Sequence, residues 1–87
     1  MSAKTYRKLP VEIQAFYWDG SDSDEMLDAI TDFVGETMWH LDTSKIYIKT
    51  LEGLMSSKAP CYIIRGVQGE YYICDPDIFN QTYEEVV

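Results

Sequence analysis

Residues 61–74 have the sequence CYIIRGVQGEYYIC. Two segments rich in branched and aromatic residues flank a turn bounded by Gly66 and Gly69. This pattern predicts a β-hairpin whose strands are Cys61–Arg65 and residues 70–74. The hairpin is the clearest strand pair in the chain, and it indicates a fold built mainly of antiparallel sheet.

The side chains of the hairpin also predict its register. If Arg65 lies opposite Glu70, opposite charges pair and aromatic residues face branched ones, each pair contributing about 0.2–1 kcal/mol. A slip of one residue would remove these pairs and reverse the two faces. The same register places Cys61 opposite Cys74, within disulfide reach. We expect both to be reduced, buried thiols, because the sequence indicates a cytosolic protein.

An amphipathic helix is predicted upstream of the hairpin, over about residues 22–34. Asp22 is placed as its N-cap, with Glu25 three positions later as in a capping box. Gly35 supplies the residue that ends many helices. The apolar stripe of this helix consists of Met26, Leu27, Ile30, Phe33 and Val34.

Alternation of apolar and polar side chains predicts the other strands. In the first, residues 11–18, both Phe16 and Trp18 are expected to contact another layer. The remaining predicted strands cover residues 37–42 and 45–51, a weaker segment over 54–56, and a last short strand over 82–87.

A short helical turn is predicted near residues 76–80, because Asp75 suits an N-cap and Pro76 suits the first helical position. Together these elements predict a single α+β domain over residues 1–87. Residues 1–9 are expected to form a basic arm.

Composition excludes several functional classes. The chain has fifteen acidic and seven basic residues, a net charge of −8, and 46% hydrophobic residues. Direct nucleic-acid binding is not expected, since it needs clustered Lys and Arg. No apolar run approaches the roughly 20 residues of a membrane helix, and no signal-peptide pattern is present.

No motif for catalysis or metal binding stands out. His40 and the two cysteines supply at most three zinc ligands, and no C-x-x-C spacing exists. Asp75 and Asp77 flank Pro76, so capping of a short helix is a simpler role for them than cation binding. We therefore expect no enzyme activity, no metal and no cofactor.

Negative charge is concentrated in one part of the chain. Nine acidic residues and no Lys or Arg lie between Val11 and Ser44. Helical spacing places several of them on one exposed face, here called the acidic ridge and predicted to bind a partner. The ridge consists of Asp24, Glu25, Asp28, Asp32 and Glu36. The simpler alternative is a solvated face that keeps the protein soluble.

Basic and aromatic side chains form a second candidate surface. As an alternative to the ridge, Lys45, Tyr47, Lys49, Arg65 and Tyr72 are predicted to stack on and clamp a nucleotide-like ligand. Packing within the core and the sheet is the simpler role for the aromatic residues among them.

Five segments give a combined motif. They are residues 6–11 (YRKLPV), 50–53 (TLEG), 62–72 (YIIRGVQGEYY), 74–79 (CDPDIF) and 82–84 (TYE). The motif resembles a widespread family of small, mostly uncharacterised bacteriophage and prophage proteins. This chain has Ala59, Pro60 and Cys61 where the family usually has Pro-Gly-Asp before the Tyr-Ile-Ile strand.

The resemblance implies a phage accessory protein in the cytoplasm of a host bacterium, and it supplies no catalytic residues. By analogy with small non-enzymatic phage proteins, we expect it to bind and inhibit a host or defence protein through the acidic ridge. Two alternatives stay open. One is a sponge that sequesters a nucleotide-like signal, either as a monomer or as a homo-oligomer. The other is a self-associating structural component of the virion.

Overall fold

The computed structural model describes residues 3–5 and 11–86. Its fold is α+β and consists mainly of antiparallel sheet, as predicted. The elements in chain order are β1 (Gln14–Trp18), α1 (Asp24–Val34), β2 (Trp39–Asp42), β3 (Lys45–Thr50), β4 (Gly53–Lys58), β5 (Cys61–Arg65), β6 (Tyr71–Cys74) and α2 (Pro76–Thr82). Most of the predicted basic arm, residues 1–9, lies outside the described residues.

The strands form two three-stranded sheets. Sheet A has the order β1-β5-β6 and sheet B has the order β2-β3-β4. Every neighbouring pair is antiparallel. Sheet B is therefore inserted in sequence between the first strand of sheet A and the hairpin that completes it.

The core lies between one face of sheet A, here called the inner face, α1 and sheet B. Trp18 and Ile63 on the inner face pack against Ile30 of α1 and Ile48 of sheet B, and each is at most 1% exposed. Full burial of an aliphatic side chain of this size contributes about 1.5–3 kcal/mol. No polar or charged side chain among the described residues is buried. This core is therefore held together by apolar packing.

Helix α1 begins one residue later than predicted. Ser23 is the N-cap, and its Oγ accepts a hydrogen bond from the Met26 amide at 3.2 Å. Asp22 is not the cap because the preceding loop is fixed by other bonds: Trp18 Nε1 donates to the Ser21 carbonyl at 2.9 Å, and Asp19 Oδ1 accepts from the Ser21 amide. The end of the helix at a glycine, residue 35, is confirmed.

The register predicted for the hairpin is wrong by one residue. Arg65 pairs with Tyr71 instead of Glu70. The Gly66 amide donates to the Glu70 carbonyl at 2.8 Å, which closes a loop of three residues instead of four. Gly69 has φ +80°, a left-handed conformation that inserts one extra residue into the second strand.

The corrected register separates the two thiols. Cys61 lies on the inner face beside Trp18 and is fully buried, whereas Cys74 lies opposite Tyr62 on the other face and is half-buried. The predicted opposition of the two cysteines is therefore wrong, and both are free thiols. Burial raises the pKa of Cys61 to about 11. The pKa of Cys74 is also raised, first by burial and then by the Asp75 carboxylate.

Several strand boundaries differ from the predicted ones. β1 starts at Gln14, β2 starts at Trp39, and β4 is a regular six-residue strand. The predicted last strand over residues 82–87 is wrong within the described residues. There, α2 continues to Thr82, and the Tyr83 amide still donates to the Phe79 carbonyl at 2.9 Å.

The start of α2 is as predicted. Asp75 is the N-cap, and its Oδ1 accepts from the Asp77 amide at 2.9 Å.

Candidate binding surfaces

The acidic ridge lies on the solvent side of α1. The helix buries Ile30 and Val34, which turns the opposite face outward. Asp24, Glu25, Asp28 and Asp32 are exposed there, whereas Glu36, the fifth predicted member, is exposed beyond the end of the helix at Gly35. In the described part of the chain none of the five carboxylates accepts a hydrogen bond or forms an ion pair. Like charges at i and i+4 cost a few tenths of a kcal/mol per pair. The ridge therefore slightly destabilises the fold, and its carboxylates are available to a partner.

The alternative ligand set is spread over three surfaces. Lys45, Tyr47 and Lys49 alternate with buried residues along β3. They therefore project from the face of sheet B that points away from the core, here called its far face. Arg65 lies on the inner face of sheet A, and Tyr72 lies on the opposite face of that sheet. The structure brings three of these five side chains together and separates the other two from them.

Arg65 has a structural role in this fold. Its guanidinium donates to Gln14 Oε1 and, at 3.5 Å, to the Phe33 carbonyl. It also lies 4.9 Å from the centroid of the Phe33 ring. Tyr71 donates to the same carbonyl at 2.9 Å. Because the last carbonyls of a helix lack partners within the helix, these bonds attach the end of α1 to sheet A.

The far face of sheet B combines aromatic and basic side chains. His40 stacks on Tyr47 with ring centroids 4.6 Å apart and an interplanar angle of 6°. Lys45 pairs in register with Lys58, and Lys49 follows on the same face of β3. Stacked rings flanked by ammonium groups are a surface for an anionic ligand with a planar base.

The outer face of sheet A carries a groove that the sequence analysis missed. It has a volume of about 1050 Å³ and lies between the extended segment 11–17 and the segment 79–86, which includes the end of α2. We call it the aromatic groove because four rings follow one another along it. Tyr62 stacks on Phe79 with ring centroids 3.8 Å apart. The ring centroid of Tyr17 lies 5.1 Å from that of Tyr62, and the ring centroid of Tyr83 lies 5.0 Å from that of Phe79.

Tyr72 borders this row of rings. Its hydroxyl lies 3.5 Å from the Tyr83 hydroxyl. Burial, followed by this hydrogen bond, raises the pKa of Tyr72 to about 12.

A sequence signal for the groove exists. Phe79 and Tyr83 are spaced i, i+4, which places two rings on one side of a short helix. Val11, Ile13, Ala15 and Tyr17 form an apolar face on a strand whose opposite face already carries Phe16 and Trp18. A strand that is apolar on both faces needs two covering layers, and only the inner one is complete.

No family model, curated protein or solved structure matches this chain. None of the helices in residues 3–5 and 11–86 has the length and apolar character needed to cross a membrane. The same residues contain no group of three or more His, Cys, Asp or Glu side chains placed to hold a metal ion. The phage resemblance therefore stays a prediction.

Proposed function

We propose that this chain is a non-enzymatic phage binding protein that inhibits a bacterial host or defence protein. In this proposal the acidic ridge docks on a basic surface of the target. The phage setting comes from the resemblance of the motif segments, and the contact surface comes from the geometry of α1.

The observation that carries the proposal is the exposed row of carboxylates. Asp24, Asp28 and Asp32 are spaced i, i+4 and i+8 on one helix, which separates neighbours by about 6 Å along its axis. All three are exposed. A regular row of unpaired negative charges complements a basic groove and accelerates encounter with it.

The support of α1 favours the same function. Ser23 caps its start, its apolar stripe is buried, and Arg65 and Tyr71 hold the carbonyl of Phe33 near its end. A contact surface on an element fixed at both ends loses little conformational entropy when a partner binds.

The test is affinity capture from a lysate of the host bacterium with two variants of equal charge. The ridge variant carries D24N, E25Q, D28N and D32N. The control variant carries D22N, D42N, E52Q and D77N, which also removes four exposed carboxylates, all outside the ridge and the aromatic groove. We expect the natural protein and the control to retain one specific host protein, and the ridge variant to bind it at least tenfold more weakly. Retention should also fall as salt screens the charges.

Two results would contradict the proposal. Equal weakening by both variants would show that total charge, and not the ridge, attracts the partner. Unchanged affinity of the ridge variant would place the contact elsewhere.

The second candidate is the nucleotide sponge, and the stack of His40 on Tyr47 beside Lys45 and Lys49 favours it. A nucleotide bound there should raise the melting temperature, and Lys49→Ala should abolish the increase. Arg65→Ala is uninformative, since loss of its bonds to α1 lowers stability with or without a ligand. Equal increases in melting temperature for the natural protein and Lys49→Ala would show that a nucleotide does not bind at this surface.

A further inference from the structure

We propose that the aromatic groove binds an extended peptide segment that carries lysine or arginine side chains. The groove lies on the outer face of sheet A, whereas α1 packs against the inner face and carries the ridge on its solvent side. The two sites are therefore separate, and this inference goes beyond the proposed function of the ridge.

The shape of the groove fits an extended chain. Its wall is the segment 11–17, which spans at most about 20 Å because an extended chain rises roughly 3.3 Å per residue. A ligand of about six extended residues matches that length. The volume of about 1050 Å³ reaches the upper end of the range for small-molecule pockets, which is about 1,000 Å³. β1 is also an edge strand of sheet A, a position at which extended peptides add to sheets.

The groove offers apolar and aromatic contacts. Val11 is 49% exposed and Tyr17 is 48% exposed, although both occur on the apolar side of β1 and its extension. Tyr17 is the most open of the four rings, and its neighbour Tyr62 is already stacked on Phe79. The face of an exposed aromatic ring attracts ammonium and guanidinium groups by about 0.5–1 kcal/mol.

The charge of the groove selects the occupant. Glu12, Glu84 and Glu85 line it and are exposed, and no Lys or Arg is among the described lining residues. These carboxylates complement cationic side chains, and they repel an acidic segment. A second copy of this chain is a poor occupant, because a symmetric contact through this face would bring the same carboxylates together.

The first experiment measures binding of fluorescent octapeptides by anisotropy. The probe alternates lysine and valine. One control peptide alternates glutamate and valine, and the other alternates lysine and serine. We expect the lysine–valine peptide to bind at least tenfold more tightly than either control, with an affinity that decreases in high salt. Equal binding of the lysine–serine peptide, or no binding of the probe, would overturn the proposal.

The second experiment locates the site with matched variants. E12Q/E84Q/E85Q removes three carboxylates from the groove, and D24N/E25Q/D28N removes three from the ridge. We expect about tenfold weaker probe binding for the groove variant, from three exposed charges acting together, and a change within twofold for the ridge variant. Equal losses would show attraction to net charge alone and would overturn the proposal.

A third measurement tests the ring and the alternative occupant. Tyr17→Leu keeps an apolar side chain but removes the aromatic face, so we expect binding a few-fold weaker. The protein should stay folded, with a melting temperature lowered by a few degrees through loss of the ring contact with Tyr62. Unchanged binding would contradict the role of the ring. Sedimentation of the free protein should show no dimer that the probe dissociates, and a dimer of that kind would make the second copy the occupant.

Discussion

The two faces of sheet A have similar apolar sequences and very different cover. On the inner face, Trp18, Cys61 and Ile63 are at most 1% exposed beneath α1 and sheet B. On the outer face, Ile64 of the central strand β5 is fully buried, whereas Tyr17 of the edge strand β1 is 48% exposed. One face is a closed core and the other is a partly open groove.

The difference follows from the size of the covering elements. α1 has eleven residues and is about 16 Å long, and sheet B completes the cover beside it. α2 has seven residues and is about 10 Å long, which is half the span of the segment 11–17. The short helix therefore covers Tyr62 through Phe79 but leaves the β1 side of the outer face exposed. Apolar alternation in a strand shows that a face is apolar, and the neighbouring elements decide whether it becomes core.

Side-chain truncation should give the largest difference in the free energy of unfolding between the two faces. Ile63→Ala leaves a cavity in the closed core and should lower the free energy of unfolding by about 3–4 kcal/mol. Val11→Ala, on the open face, should cost less than about 0.5 kcal/mol. Urea unfolding of both variants measures this contrast. Similar losses would show that the outer face is closed as well.

A pH dependence of stability should come from the inner face. The Cys61 thiol has a usual pKa of 9.0 and a pKa of about 11 in the fold, so the folded state holds its proton more tightly than the unfolded state. The contribution is complete below pH 9 and is lost as the pH rises to 11, by about 2–3 kcal/mol. The stability difference between the natural protein and Cys61→Ala, measured at pH 8 and pH 11, should decrease by that amount. No decrease would mean that the thiol is accessible to water.

Cover of the outer face should depend on one ring. Phe79→Ala removes the stack on Tyr62 and should cost about 2 kcal/mol, less than the inner-face truncation because Phe79 is only half-buried. A double-mutant cycle with Tyr62→Ala should give a coupling energy of about 1 kcal/mol. Additive effects of the two substitutions would contradict the stack.

Local chemistry in the sequence predicts the elements better than it predicts how they meet. The acidic ridge is exposed as expected, because a 3.6-residue period with a buried Ile30 and Val34 leaves the acids outside. The hairpin exists, but its register depended on the conformation of Gly69. Both loop lengths fit the sequence, and only the left-handed φ of that residue distinguishes them.

Tertiary contacts account for the other differences. Asp22 and Ser23 are both good caps, and the bond from Trp18 to the Ser21 carbonyl fixes the loop so that Ser23 is used. The role of Arg65 depends on the end of α1, which is 32 residues away in the chain. The apolar alternation of residues 11–17 and the two rings of α2 indicate that the outer face needs cover, but how much of it stays open depends on where α2 packs, which no local pattern encodes.

The smallest expected changes in the free energy of unfolding come from removing the N-caps of the two covering helices, α1 and α2. Ser23→Ala should cost about 1 kcal/mol because the Met26 amide loses its partner, while Asp22→Ala should stay within about 0.5 kcal/mol. Asp75→Ala should also cost about 1 kcal/mol, through the Asp77 amide. Thermal unfolding of the three variants measures the order. A larger effect at Asp22 than at Ser23 would show that Ser23 is not the N-cap of α1.

The contrast between the faces of sheet A is tested most directly by the labelling rates of its two natural thiols. Cys61 is fully buried on the inner face, and Cys74 is half-buried on the outer face. Labelling with iodoacetamide at pH 8, followed by mass spectrometry of the peptides, gives both rates without any substitution. We predict that Cys74 reacts at least about 100-fold faster, because Cys61 becomes accessible only when the core opens. Equal rates, or faster labelling of Cys61, would contradict a closed inner face and an open outer one.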